Sequence, residues 1–127
     1  MLAVDTNVVV RLLVNDDLRQ GAIARRLFES EEIFVGVTVL LESAWVLESV
    51  YELDAVDAAE ALRGLLGLAN VRVEDAGAVA AALDAASKGL ELADALHLLR
   101  APAGTEFATF DRSLAKAGRK IRPIRLV

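Results

Sequence analysis

The sequence predicts an α/β sandwich built on a mostly parallel sheet. Short runs rich in β-branched and aromatic residues alternate along the chain with longer helical patterns, which is typical of βαβ units. The chain has 127 residues, the size of one domain. Hydrophobic residues make up 55% of the sequence, which is ample for a core. We therefore expect a single domain over residues 1–127.

The first half of the chain predicts two strands and four helices. Residues 2–5 form an apolar run that ends at a polar turn, as a buried parallel strand does, and IFVGV at 33–37 is rich in β-branched residues. Thr38 is a candidate N-cap for a long apolar helix. The helices expected here cover residues 7–13, an amphipathic segment around 22–28, residues 38–51, and residues 54–66, which end at Gly67.

The second half predicts three strands and three helices. VRV at 71–73 and EFATF at 106–110 are short β-rich runs, and IRPIRLV at 121–127 is a last strand broken at Pro123. The alanine-rich helix at 75–88 is closed by Gly89. Two further helices are expected at residues 93–100, which end before Pro102, and at residues 111–117.

The composition excludes several kinds of chemistry. The chain has no cysteine, so disulfides, thiolate metal sites and thiol catalysis are impossible. It has one histidine, which argues against a zinc centre. The first residues lack the basic region of a secretory signal, and no apolar stretch reaches the ~20 residues of a membrane span. We expect a soluble cytoplasmic protein that does not enter a membrane.

Charge is distributed unevenly. The net formal charge is −5, but residues 1–99 carry a charge of −10 and residues 100–127 carry +5. Such a basic segment on an acidic protein suits contact with phosphates, or forms a solvated C-terminal helix and strand.

Four carboxylates stand where apolar residues surround them. Asp5 and Asp111 each end a predicted strand, Glu42 interrupts TVLLESAWVL, and Asp94 interrupts GLELADALHLL. Ligands of open α/β sheets bind beyond the carboxyl ends of the strands, so all four acids could converge there. Gathered carboxylates repel one another unless a cation neutralises them. Mg²⁺ and Mn²⁺ prefer carboxylate oxygens, and such ions cleave phosphodiesters in nucleases.

Each acid also has a simpler explanation. Asp5 and Asp111 could be N-caps of the helices that follow them, a role that aspartate fills well. Glu42 and Asp94 occupy no obvious capping position. The joint pattern favours a metal site over four unrelated roles.

The ordered motifs LAVDTNVVVRLL, TVLLESAWVL, LADALHL and ATFDRSL closely resemble those of PIN-domain ribonucleases, and within them the VapC toxins of bacterial toxin–antitoxin pairs. The resemblance spans essentially the whole chain. It implies a three-layer α/β/α sandwich with a five-stranded, mostly parallel sheet in the order 3-2-1-4-5. It further implies endoribonuclease activity in which metal-activated water cleaves RNA.

The resemblance also assigns residues and partners. The catalytic and metal-binding quartet that would hold Mg²⁺ or Mn²⁺ corresponds to Asp5, Glu42, Asp94 and Asp111, with Thr6, Asn7 and Thr109 as supporting neighbours. A homodimer, a cognate VapB-type antitoxin and a tRNA or ribosomal RNA substrate are implied as well. The segment APAGTEF before Asp111 departs from the family pattern.

Other residues have two interpretations each. His97 shares a helix face with Asp94 and either approaches the site or is an ordinary packed or solvated helix residue. Trp45 is expected to pack in the core or an interface rather than to stack on a base. A basic cluster could guide RNA: Arg112, Lys116, Arg119, Lys120 and Arg122.

Rival functions lack their motifs. A receiver domain would have an acidic pair near its start, but Val4 precedes Asp5, and a haloacid-dehalogenase-like phosphatase would have aspartate where this chain has Asn7. A dinucleotide-binding domain would have a glycine-rich turn after the first strand. The remaining alternatives are a non-catalytic PIN-like module that binds protein or RNA, and a housekeeping PIN nuclease.

Overall fold

The computed structural model describes all 127 residues as an α/β fold with seven helices and five short strands. The strands are β1 (Leu2–Ala3), β2 (Ile33–Val35), β3 (Val71–Val73), β4 (Phe107–Thr109) and β5 (Ile124–Leu126). The helices are α1 (Thr6–Leu13), α2 (Leu18–Ser30), α3 (Val37–Ser49), α4 (Ala55–Leu66), α5 (Ala76–Ser87), α6 (Leu92–Arg100) and α7 (Arg112–Gly118). The predicted alternation of strands and helices is confirmed.

The strands form two parallel sheets rather than one. β1, β2 and β3 pair in that order, with Leu2 opposite Ile33 and Ile33 opposite Val71. β4 pairs only with β5, with Phe107 opposite Ile124. The expected continuous order 3-2-1-4-5 is therefore not observed, because no hydrogen-bonded ladder joins β1 to β4.

Two hydrophobic cores of different size accompany the two sheets. The N-terminal body, residues 1–100, contains a cluster of 21 buried residues that includes Ile33, Leu40 and Leu47. The C-terminal unit, residues 107–127, packs against α6 through a cluster of four buried residues: Leu98, Leu114, Ala115 and Ile124. Since α6 contributes Leu96 to the large core and Leu98 to the small one, this helix links the two parts.

Arg122 fixes the C-terminal unit to the end of α6. Its guanidinium donates to four backbone carbonyls, those of Leu98 (2.6 Å), Ala101 (2.8 Å), Pro102 (3.0 Å) and Thr105 (2.7 Å). These bonds satisfy carbonyls at the end of a helix and in the loop that leads to β4. The anchor therefore ties the loop before β4 to the end of α6. The interpretation of Arg122 as an RNA-guiding residue is replaced by this structural role.

Two local expectations are wrong. The N-cap of α3 is Gly36 rather than Thr38. The amide of Val37 donates at 2.8 Å to Oε1 of Glu74, which lies 37 residues later in the chain. Leu2 and Ala3 of β1 are exposed rather than buried, because β1 lies at the edge of its sheet and only Val4 reaches the core.

None of the seven helices combines the length and the apolar character that a membrane crossing requires.

Candidate active site

One pocket collects the polar residues that follow β1. It has a volume of about 280 Å³ and is lined by Asp5, Thr6, Asn7, Glu42 and Val46. The first three residues lie where β1 ends and α1 begins, and the other two lie on α3. The structure thus brings together two of the four acids singled out in the sequence.

A hydrogen bond holds Glu42 at the end of β1. The Thr6 hydroxyl donates to Glu42 Oε1 across a separation of 36 residues. Thr6 is buried, whereas Glu42 is exposed on its other side. A buried hydroxyl with a charged partner is well satisfied, so Thr6 orients the carboxylate toward the pocket.

Asp5 caps α1 and lines the pocket at once. Its backbone is extended, and Oδ1 accepts from the Val8 amide at 3.1 Å. The cap uses one carboxylate oxygen, and the side chain remains exposed. The prediction that Asp5 caps the helix after β1 is therefore confirmed. This role is compatible with a ligand role for the same side chain.

Asp111 belongs to the other sheet. It caps α7, where Oδ1 accepts from the amides of Ser113 (2.9 Å) and Leu114 (3.1 Å). The hydroxyl of Thr109 accepts from the Asp111 amide at 3.0 Å, which stiffens the turn between β4 and α7. Thr109 therefore supports Asp111 locally, and neither residue lines the pocket of Asp5 and Glu42.

Asp94 lies in the first turn of α6 and is half-buried. It does not line the pocket of Asp5 and Glu42 either. No three Asp, Glu or His side chains are grouped closely enough to hold a metal ion. As placed, the four acids therefore do not fit Mg²⁺ or Mn²⁺, which needs several oxygen ligands at about 2.1 Å. The structure assembles half of the expected quartet.

A second groove adjoins the pocket. It lies between α1 and α2, has a volume of about 320 Å³, and shares Asp5 and Asn7 with the first pocket. Arg11 on its wall donates to Gln20 Oε1 at 2.7 Å and to the Tyr51 hydroxyl at 3.1 Å. This hydrogen bond to Tyr51, with a smaller contribution from the charge of Asp16, holds the pKa of Arg11 above its ordinary value. Arg11 is thus committed to contacts within the chain.

Trp45 does not lie in the core, one of the two places expected for it. Its side chain is 63% exposed at the rim of an apolar pocket of about 210 Å³ between α3, α4 and the start of α6. Glu48 and Glu91 are the acids of this pocket. Burial, with a smaller contribution from repulsion by Glu91, raises the pKa of Glu48. His97 is exposed on α6, so it is not a packed residue.

Sequence reasoning missed two residues that shape these surfaces. Glu74 caps α3 from the end of β3 and so fixes the helix that carries Glu42. Phe110, directly before Asp111, is 85% exposed. An aromatic residue beside a candidate site acid is a signal that the sequence does contain.

The family described as "PIN domain" matches residues 2–120, which is nearly the whole chain. No curated protein gives a significant match. No solved structure gives one either.

Proposed function

The chain belongs to the PIN-domain family, and from this premise we propose that it is a Mg²⁺- or Mn²⁺-dependent endoribonuclease. PIN domains are typically metal-dependent nucleases, so the family supports a hydrolase that acts on phosphodiester bonds. One observation supports the proposal most strongly. Asp5 and Glu42, which are far apart in sequence, share one pocket at the carboxyl end of β1, and Thr6 orients one of them.

The proposal requires Asp94 and Asp111 to join that pocket. Both strands that would have to meet, β1 and β4, have one edge without a partner strand. The amides of Leu2 and Val4 donate to the β2 side of β1, and the amide of Phe107 donates to the β5 side of β4. Backbone groups on the opposite edges of β1 and β4 are therefore free to pair. Pairing of these edges would give the order 3-2-1-4-5 and bring the turn that holds Asp111 beside Asp5.

We further propose that the protein is the toxin of a toxin–antitoxin pair. In this proposal it acts in the cytoplasm as a homodimer, cleaves tRNA or ribosomal RNA, and is inhibited by a VapB-type antitoxin. The support is the family match over residues 2–120 together with exposed apolar side chains outside the core, such as Trp45, that a partner could cover. A housekeeping PIN nuclease would share the chemistry and lack the antitoxin.

A second candidate function is a PIN-like module that binds RNA or protein without cleavage. The separation of Asp111 from Asp5 and Glu42 favours it, because half a carboxylate site holds a metal ion weakly. Under this alternative, the pocket would have no hydrolytic role.

Cleavage of an RNA panel separates the two candidates. The wild-type protein should cleave RNA with Mg²⁺ or Mn²⁺ and stop in EDTA. Asp5→Asn should lose about a hundredfold or more of that activity, since loss of a residue that only hydrogen-bonds a metal ligand already costs about 10–100-fold. Asparagine caps a helix as well as aspartate does, so the fold should persist.

Asp84→Asn is the matched control, because Asp84 is an exposed acid on α5 that pairs with Lys88 and does not line the pocket. Full activity in a folded Asp5→Asn protein would overturn the nuclease proposal. Absence of cleavage by the wild type would favour the binding module.

A further inference from the structure

Phe110 is the most exposed large apolar side chain of the molecule. It is 85% exposed and stands between β4 and α7, directly before Asp111. Exposed single apolar residues are common on proteins. Phe110 combines three further features. Hydrogen bonds hold its backbone, a row of cations follows it in sequence, and a candidate site acid lies next to it.

The backbone on the C-terminal side of Phe110 is held firmly. The Thr109 hydroxyl accepts from the Asp111 amide at 3.0 Å, so a hydrogen bond closes over Phe110. Asp111 Oδ1 then accepts from two amides of α7. On the N-terminal side, Phe110 follows a strand that is paired with β5. The ring therefore projects from a fixed turn, and its ordering on binding would cost little conformational entropy.

Four exposed cations follow along α7 and the turn after it. We name them the α7 basic face: Arg112, Lys116, Arg119 and Lys120. Arg112 and Lys116 lie four residues apart on α7, Arg119 is the C-cap and Lys120 follows it, whereas Leu114, Ala115 and Gly118 are buried. None of the four forms an ion pair within the chain, in contrast to Arg100 and Arg125. Their charges are thus available to an external anion.

We propose that Phe110 and the α7 basic face bind single-stranded RNA, with Phe110 stacking on one unpaired base. Aromatic rings bind bases that are free of a duplex, and lysine and arginine contact the phosphates beside them. The body, with a charge of −10 over residues 1–99, repels a polyanion, so RNA is directed to the basic C-terminal unit. This inference rests on the proposed function, because it names the substrate class of that site.

The nucleotide on Phe110 would lie next to the phosphate that approaches Asp111. Phe110 is therefore a positioning residue, which selects an unpaired nucleotide and presents its neighbour to the acid. The substrate class is an unpaired loop or end of an RNA rather than a duplex.

The test is a binding measurement in EDTA, where no cleavage takes place. The probe is an unstructured RNA of about twelve nucleotides, labelled for fluorescence anisotropy, and the same RNA annealed into a duplex. Phe110→Ala should weaken binding of the single strand about 5- to 150-fold, as expected from about 1–3 kcal/mol per stacked base. Phe110→Trp should retain wild-type binding of the single strand, whereas Phe110→Leu should not. The duplex should bind more weakly than the single strand and be insensitive to Phe110.

Leu18→Ala is the matched control, since Leu18 is 78% exposed but lies on α2 of the acidic body, and its loss should leave binding unchanged. Lys116→Gln should lower the salt dependence of binding by a slope of about 0.7. Wild-type binding by Phe110→Ala, equal binding by Phe110→Leu and wild type, or equal affinity for the duplex would overturn the inference.

The failure of the two proposals can be told apart. Binding in EDTA does not depend on metal-dependent cleavage. If the wild type binds single strands through Phe110 but never cleaves RNA, the nuclease proposal fails and this inference holds. If the protein cleaves RNA and Phe110→Ala binds and cleaves as well as the wild type, this inference alone fails.

Discussion

The N-terminal body and the C-terminal unit hold their acids in different ways. In the body, a core of 21 residues supports β1 and α3, and a long-range hydrogen bond from Thr6 orients Glu42 beside Asp5. In the unit, a core of four residues supports α7, and Asp111 is held only by local bonds around its own turn. The two parts also carry opposite net charge. Asp5, Glu42 and Asp94 thus lie on elements that pack into the large core, whereas the position of Asp111 depends on the small core and on the Arg122 anchor.

The largest expected effect is on the free energy of unfolding, when a buried leucine is truncated in the large core rather than in the small one. Leu40 is fully buried in the large core, so Leu40→Ala should lower the free energy of unfolding by about 2–5 kcal/mol. Leu114→Ala, in the small core, should accelerate amide exchange mainly in residues 107–127. Denaturant unfolding with hydrogen exchange measures both. Equal acceleration throughout the chain in Leu114→Ala would show that the two parts unfold as one.

The next effect concerns the anchor of the unit. Arg122→Met keeps the aliphatic stem and removes four hydrogen bonds to carbonyls, which should cost about 2 kcal/mol and loosen the 101–106 loop. Arg125→Met is the matched control, because Arg125 pairs only with Glu106 at the surface and should cost less than about 1 kcal/mol. Thermal unfolding and loop amide exchange measure the difference. Equal losses in the two variants would contradict the anchor role.

The smallest effect is a pH dependence in the body. The pKa of Glu48 is raised above its ordinary value of 4.5 by burial and by Glu91, so the folded protein binds this proton more tightly than the unfolded chain. The ionised group therefore costs stability above its folded pKa, and the cost disappears as pH falls below 4.5. Glu48→Gln should stabilise the protein by a few tenths of a kcal/mol at pH 7, a size typical of exposed charges.

Melting curves at neutral and acidic pH test this prediction, with Glu29→Gln as the control because Glu29 is exposed on α2. A gain for Glu48→Gln that persists unchanged at low pH would rule out the charge explanation.

Local sequence patterns predict the helices and strands of both parts. All seven helices and five strands lie where local patterns place them, and the caps at Asp5 and Asp111 follow from residue type. The cap of α3 was predicted wrongly, because Glu74 provides it from 37 residues away.

The split of the sheet was not predictable for a similar reason. The C-terminal unit is fixed to α6 by Arg122, whose acceptors lie 17 to 24 residues earlier in the chain, and no local pattern encodes such contacts. The convergence of Asp5 and Glu42 was predictable from topology, because the order of strands and helices places both acids at the same end of the sheet. Whether Asp94 and Asp111 join them stays a prediction.

Mn²⁺ titration by calorimetry measures whether the body and the unit contribute acids to one cation site. Asparagine preserves both caps, so Asp5→Asn and Asp111→Asn remove only carboxylate charge. Each variant should lose about tenfold or more of the wild-type Mn²⁺ affinity, while Asp84→Asn should bind as the wild type does. Wild-type affinity in Asp111→Asn, or no Mn²⁺ binding by the wild-type protein, would contradict a shared cation site.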